Sequence, residues 1–215
     1  MKFQDFVKNE FFPTMKRLEE MCSNFPWEDK DIYLSWLAQS YEYALRSTRI
    51  LALTAAKMPE GHTLLSNRFV AHAAEEKNHD RLLRHDAKSL GADITQVPVL
   101  PEAEAFHKSL YFWLYEGKPV SMLGWVLCLE GFAVQCGKQI YPRIVKAHGA
   151  QASTFIKVHG EEDEDHIKKA LEVCEQLSET ETAEVIKSFR LYCKLYENIY
   201  SSIVSSKEKG FARAA

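Results

Sequence analysis

The chain has 215 residues, 46% of them hydrophobic and 27% charged, with a formal net charge of −3 at pH 7. That length and balance suit a single domain, 1–215, able to bury a sizeable core. The slightly acidic charge and the lack of a sustained basic stripe speak against a nucleic-acid partner.

The opening stretch "MKFQDFVKNEFF" is broken by charges, and the sequence shows no apolar run of bilayer length. Neither a secretory leader nor a membrane span is therefore expected. The five cysteines (Cys22, Cys128, Cys136, Cys174, Cys193) are dispersed, with no Cys-x-x-Cys pair. This usage reads as reduced thiols and predicts a cytoplasmic protein.

In chain order, turn-forming clusters punctuate long segments rich in Leu, Ala, Glu and Lys. The clusters are "FPWED" (25–29), "MPEGH" (58–62), "VPVLPE" (97–102), "GKPVS" (117–121) and "AHGAQ" (147–151). Seven helices are predicted between them, over 2–23, 29–57, 62–90, 102–116, 120–147, 151–178 and 181–207, because no stretch keeps the alternation of a strand. Pro101 suits the first turn of the fourth helix and Gly149 the end of the fifth. Pro142 is expected to end or kink the fifth, and the tail from about 208 is expected to fray. The fold class is all-α, a single-domain bundle of about seven helices.

Two segments carry the chemistry. "AHAAEEKNHD" (71–80) and "VHGEEDEDHI" (158–167) both read His, three residues, an acid, two residues, His. On a continuous helix, residues three, four and seven apart share a face. That spacing groups His72, Glu76 and His79, and groups His159, Asp163 and His166. Glu75 lies one position round from Glu76. Carboxylates with imidazoles at these spacings form ligand sets for divalent transition metals. Glu42 lies 34 residues before Glu76, and Glu130 lies 33 residues before Asp163. Glu130 sits in the almost wholly apolar "GWVLCLEGFAVQCG", where a carboxylate is costly to bury unless it is paired or ligates a metal. Glu42 sits among polar residues and is less telling. An acid on one helix and acid-x-x-His on the next, done twice, is how carboxylate di-iron bundles are built.

"FIKVHGEEDEDH" (155–166) resembles a core helix of the haem-oxygenase-like di-iron oxidases, a family that reads Phe-Leu-x-x-His-x-x-x-Asp-x-x-His. "MLGWVLCLEGFAVQCG" (122–137) resembles the preceding helix, with its Leu-Gly and Glu-Gly pairs, and "EEKNH" matches the Glu-x-x-His of the first ligand helix. The resemblance runs from about Asp31 to Leu177 and extends to the TenA/CADD-like iron-containing redox enzymes. It implies a haem-oxygenase/TenA-like fold and two Fe(II) ions, with manganese as the alternative. Glu76, His79 and His159 would hold one ion and Glu130, Asp163 and His166 the other, with His72, Glu75 and Glu42 as additional candidates. It further implies an O2-dependent di-iron oxidoreductase that oxidises a small-molecule substrate. An electron donor and a second copy of the chain are further candidate partners.

Two other readings remain open at this point. A TenA-like hydrolase would use a buried Cys with Tyr and Glu partners, and Cys136 and Tyr141 lie near that region. A non-catalytic helical protein that binds metal or a small molecule, such as a ferritin-like iron binder, would have no use for His159. Haem is disfavoured, because the first histidine, His62, comes too late to serve as a proximal ligand on the first helix. The expected walls of a substrate pocket are Trp36, Tyr41, Tyr43, Phe69, Trp125, Phe132, Tyr141 and Phe155, with Lys138 sharing a face with Glu130.

Overall fold

A computed structural model describes residues 2–208, with the side chains of 161–165 and 208 outside that description. Every regular element among the described residues is helical. The elements are α1 (Phe3–Phe6), a π-turn (Val7–Phe11), α2 (Phe12–Asn24), α3 (Lys30–Lys57), α4 (Thr63–Glu75), α5 (His79–Ser89), α6 (Pro101–Tyr115), α7 (Met122–His148), α8 (Thr154–Cys174) and α9 (Glu179–Glu208). Short 3₁₀ turns lie at Ile94–Gln96, Pro119–Ser121 and Ala150–Ala152. The expected helices are all present, but two are interrupted. The first carries the π-turn, and the third breaks at 76–78. The tail whose fraying was expected lies outside the described residues.

Local chemistry explains most of the ends. Asp29 caps α3 by accepting from the backbone N–H groups of Asp31 and Ile32 at 3.1 and 3.2 Å. Pro101 opens α6, with Glu102 and Glu104 in its first turn facing the positive end of the helix dipole. Ser178 and Glu181 form a reciprocal capping box ahead of α9, with Ser178 N–H donating to Glu181 Oε2 at 2.9 Å and Glu181 N–H to Ser178 Oγ at 3.3 Å. Gly149 ends α7 at φ +88°, as its type predicts.

Pro142 does not end α7, which runs on to His148. Proline has no N–H to offer the carbonyl four residues earlier, that of Lys138, and this position is exposed, where such a loss costs least.

Helix α7 is the axis of the fold and packs against α2, α8 and α9. Segment Pro119–His148 is long and apolar enough to cross a membrane by length and composition, which corrects the expectation that no run reaches that length. Within this fold 78% of its apolar window is buried. Gly124 makes the approach of α9 possible. A Cβ there would stand 2.4 Å from Phe189 N and 2.5 Å from Val185 O, both backbone atoms. Gly137 meets Gly160 of α8 in the same way, at 3.3 Å from its Cα. On the other side of the bundle, α3 packs against α4, α5, α6 and α9. The site therefore lies where α4, α5, α7 and α8 meet, with α3 as its floor.

Candidate metal centre

The site starts from a break in a helix. Helix α4 ends at Glu75, residues 76–78 form a turn, and Asn78 takes a left-handed conformation at φ +73°. Asn is among the few non-glycine residues that tolerate it. The sequence reading placed 62–90 on one helix; the helix breaks at 76–78, yet His72 and His79 both still face the Glu76 carboxylate. The two imidazoles nevertheless fall in different groups of possible ligands.

In the first group, Glu76 Oε1 lies 3.5 Å from His79 Nδ1 and 3.9 Å from His159 Nε2. In the second, Glu130 Oε1 lies 2.8 Å from His72 Nε2, and Oε2 lies 3.2 Å from His166 Nδ1. Within each group, one ligand atom from every residue lies within 4.8 Å of the others. Glu76 Oε1 is also 3.8 Å from His72 Nε2, so the two groups adjoin. Helix α8 runs against α4 and α5 in the opposite sense. Its first histidine, His159, therefore joins the α5 histidine, and its second, His166, joins the α4 histidine.

The carboxylates are held charged. Burial disfavours ionised Glu76, but hydrogen bonds from His72 and His79 and the nearby His159 imidazole outweigh it and keep the carboxyl well below its usual range. Glu130 follows the same rule. Burial is opposed by His166 and His72, and its carboxyl is lowered to about 2. Burial alone would lower His72, yet Glu130 and Glu76 raise it to about 9. His159 goes the other way, lowered chiefly by its own burial.

Supporting residues fix the orientation of these groups. His159 Nδ1 donates to Phe155 O at 2.9 Å, leaving Nε2 as the nitrogen that faces Glu76. Phe155 is itself anchored, because the fully buried Asp86 of α5 accepts from Thr154 N and Phe155 N, each at 3.0 Å. Asp86 thus caps α8 from another helix. Glu75 Oε2 lies 3.3 Å from His166 Nε2 and 3.3 Å from Arg68 Nη1, on the outer side of the second group. Ser47 donates to Glu76 Oε2 at 3.2 Å. Sequence reasoning missed Asp86, Arg68 and Ser47. "RHDAK" and "SNRF" look like ordinary polar helix, and nothing local marks their partners.

The remaining expectations separate cleanly. Glu42 does not join either group; its carboxylate pairs with Arg46 one turn on, at 3.0 Å. The side chain of Asp163 lies outside the described residues. A cavity of about 80 Å³ opens onto Glu76, Glu130, His72 and His159. Trp36, Tyr43, Trp125, Phe132 and Phe155 line it as expected; Tyr41, Phe69 and Tyr141 do not. Tyr41 and Phe69 belong to the core instead. Lys138 is exposed and is not among the residues that line the cavity. Cys136 also lies off the cavity, against Cys22 of α2, where that contact and burial push its thiol far up.

Comparison with known proteins fits this geometry. Residues 34–197 match a family described as iron-containing redox enzymes. No curated protein matches the chain significantly. Among solved structures, a domain of unknown function with a haem-oxygenase-like fold from Shewanella denitrificans superposes with a TM-score of 0.83 at 19% identity, over 98% of this chain and 96% of its own. A TenA homologue from Pseudomonas syringae gives 0.76 at 12% identity, over 92% of each chain. A TenA homologue from Pyrococcus furiosus gives 0.66 at 16% identity, over 94% of this chain and 99% of its own. The fold is thus haem-oxygenase/TenA-like.

Proposed function

The chain belongs to the family of iron-containing redox enzymes, and from that premise we propose that it is a non-haem di-iron oxidase or oxygenase that uses O2 to oxidise a small organic substrate. One observation carries the reading. Two adjoining groups of one carboxylate and two imidazoles border one mostly apolar cavity, which Glu76 and His159 of the first and Glu130 and His72 of the second line. Oxygen and nitrogen donors of this kind suit iron, with manganese as the alternative. Glu76, His79 and His159 would hold one ion, and Glu130, His166 and His72 the other. Asp163, one turn before His166 on α8, is a further candidate donor to the second. When bound, the two ferrous ions would supply the electrons that reduce O2 and the oxidising power that reaches the substrate.

The chain's own residues do the rest. Glu76 and Glu130 supply negative charge without needing to lose a proton at neutral pH. Phe155 O holds the proton of His159 on Nδ1, so that Nε2 is the free donor. Glu75 takes the corresponding role toward His166 Nε2 and is itself held by Arg68, an outer arrangement that orients a ligating imidazole. The aromatic wall limits water beside the ligands.

The alternatives find less support. A TenA-like hydrolase would need a reactive thiol at the cavity, and Cys136 is buried against Cys22 instead. A ferritin-like binder would draw on Glu42, which is paired with Arg46. We further propose a reducing, cytoplasmic setting, since all five cysteines are free.

The test is anaerobic loading with two equivalents of Fe(II), followed by O2 addition with an oxygen electrode. Rapid O2 uptake that depends on both Glu76 and Glu130 is expected. Wild-type protein that binds two ions and consumes no O2 would end the reading.

A further inference from the structure

The two carboxylates of the centre are carried differently. Glu130 lies inside the uninterrupted α7, and each of its oxygens faces an imidazole, Oε1 that of His72 at 2.8 Å and Oε2 that of His166 at 3.2 Å. Glu76 is the first residue past α4, at the start of the 76–78 turn. Its amide still donates to His72 O at 2.9 Å, but its carbonyl accepts from His79 N at 3.3 Å, within the turn. A helix interior fixes a residue through the hydrogen bonds on both sides of it, and Glu76 keeps that helical support only on its N-terminal side.

Helix α3 supplies support from two adjacent residues. Thr48 Oγ1 donates to Glu76 O at 3.2 Å, and Ser47 Oγ lies 3.2 Å from Glu76 Oε2. Ser47 is buried and borders the cavity together with Glu76. Its single hydroxyl hydrogen has two acceptors in reach, Ala44 O at 2.9 Å, three residues back on α3, and the Glu76 carboxylate. The carboxylate is the stronger acceptor of the two, because it is ionised. With Oε2 taken by Ser47, the other oxygen, Oε1, is the one turned to the neighbouring ligand atoms, 3.5 Å from His79 Nδ1 and 3.9 Å from His159 Nε2.

We propose that Ser47 and Thr48 are positioning residues for the ion of the first group: Thr48 anchors the backbone of Glu76 where α4 stops, and Ser47 reserves Oε2, so that Glu76 meets the ion through Oε1 alone. This rests on the reading of Glu76 as a ligand and adds the pair of side chains that sets how it binds. Glu130 has no such need, since α7 continues on both sides of it and both of its oxygens face imidazoles. Changes at Ser47 and Thr48 therefore act on one ion and spare the other.

The experiment titrates metal-free full-length protein with Mn(II) under anaerobic conditions, so its outcome does not depend on O2 chemistry. Ser47→Ala and Thr48→Val should each weaken one of the two ions by about tenfold, the low end for an outer partner of a ligand, and leave the other unchanged. The weakened ion should be the one that Glu76→Gln removes. Thr48→Ser, which keeps the hydroxyl, should bind as wild type does. Infrared difference spectra of protein with ¹³C-labelled glutamate carboxylates, the Glu76 bands assigned by their loss in Glu76→Gln, report the binding mode. In the Mn(II)-loaded wild type, the antisymmetric and symmetric stretches of Glu76 should be widely separated, as for a carboxylate bound through one oxygen. In Ser47→Ala the separation should narrow as Oε2 swings onto the ion, and in Thr48→Val it should stay wide. A role in packing alone would lower the melting temperature and move neither the affinities nor the bands. Unchanged affinities in both variants, equal weakening of the two ions, or a narrow separation already in wild type overturns the proposal and leaves the O2-uptake test of the di-iron reading intact. Wild-type protein that takes up no metal fails this proposal and the di-iron reading together.

Discussion

The Glu76–His79–His159 group and the His72–Glu130–His166 group use the same three side chains but differ in how far they already satisfy one another. In the second, both imidazoles lie within 3.2 Å of Glu130 and all three residues are buried. In the first, Glu76 stands 3.5 and 3.9 Å from its imidazoles, and both histidines are half-buried. The second group is therefore a closed ion pair that a metal must open. The first is a looser set in which burial already keeps His159 neutral. A low-dielectric interior makes that difference count, since it strengthens pairs that are made and penalises charges that are not.

The sharpest way to break the comparison is to remove one carboxylate at a time. Glu130→Gln and Glu76→Gln keep the volume but remove the charge. On the di-iron reading, in which the two ions form one reactive unit, each should cost one equivalent of bound iron and lower O2 uptake by more than about 100-fold. Metal analysis after desalting checks this, and two retained equivalents in either variant would remove that carboxylate from the ligand set.

Glu75 tests the outer side of the second group alone. Glu75→Gln should weaken metal binding there by about 10- to 100-fold, the range for an outer partner of a ligating imidazole. The first group should change far less, and equal weakening of both would show that Glu75 acts on the whole fold.

Proton linkage should separate the groups next. The folded value of His72 is raised to about 9 by Glu130 and Glu76, against burial. Its charged form therefore stabilises the iron-free fold below the ordinary histidine value, and that contribution is lost as pH rises through about 9. Glu130 is depressed, so its contribution is present above the ordinary carboxylate value and lost as pH falls toward about 2. Metal ligation needs neutral His72, so affinity at the second group should climb by up to about tenfold per pH unit from pH 7 toward 9. His159 is already lowered, so the first group should respond less. Calorimetry at pH 7 in buffers of different ionisation enthalpy should show about one proton released for the second ion. Zero release would mean that His72 does not ligate.

Two smaller effects complete the set. Asp86→Ala should lose about 1–2 kcal/mol of stability, the scale of a lost helix cap. It should also weaken the first group more than the second, because Phe155, which holds His159, loses its anchor. Asp86→Asn, which keeps one acceptor oxygen, should recover part of both. Thermal melts with metal titrations measure it, and an unshifted His159 site in a destabilised protein would reduce Asp86 to a structural cap. Glu42→Gln should change stability by less than about 0.5 kcal/mol, as for a half-exposed i,i+4 pair, and should leave iron stoichiometry unchanged. A lost equivalent would return Glu42 to the ligand set.

Much of this molecule can be read from local pattern. The helical period fixes the all-α class, Pro101 and Gly149 mark two helix ends, and Glu130 stands out as a charge inside an apolar helix. Other features cannot be read this way. "EEKNH" consists of residues that a helix accepts, so nothing in it announces the turn at Asn78. Pro142 looks like a stop, yet α7 passes through it, with the missing backbone hydrogen bond falling at an exposed position. Asp86 looks like a surface acid until the start of α8 is packed against it.

The sequence by itself determined which residue types are available and at what spacing: two His-x₃-acid-x₂-His segments and a carboxylate on a buried helix. Those are local properties, set by helical period and by the cost of burying charge. The tertiary structure decided how the set divides. The break at 76–78 and the opposed direction of α8 send one histidine of each segment to each carboxylate, draw in His72 and leave out Glu42. That division depends on which helices cross and in which sense. Contacts between residues far apart in the chain set those crossings, and neither the period nor the composition of any one segment encodes them.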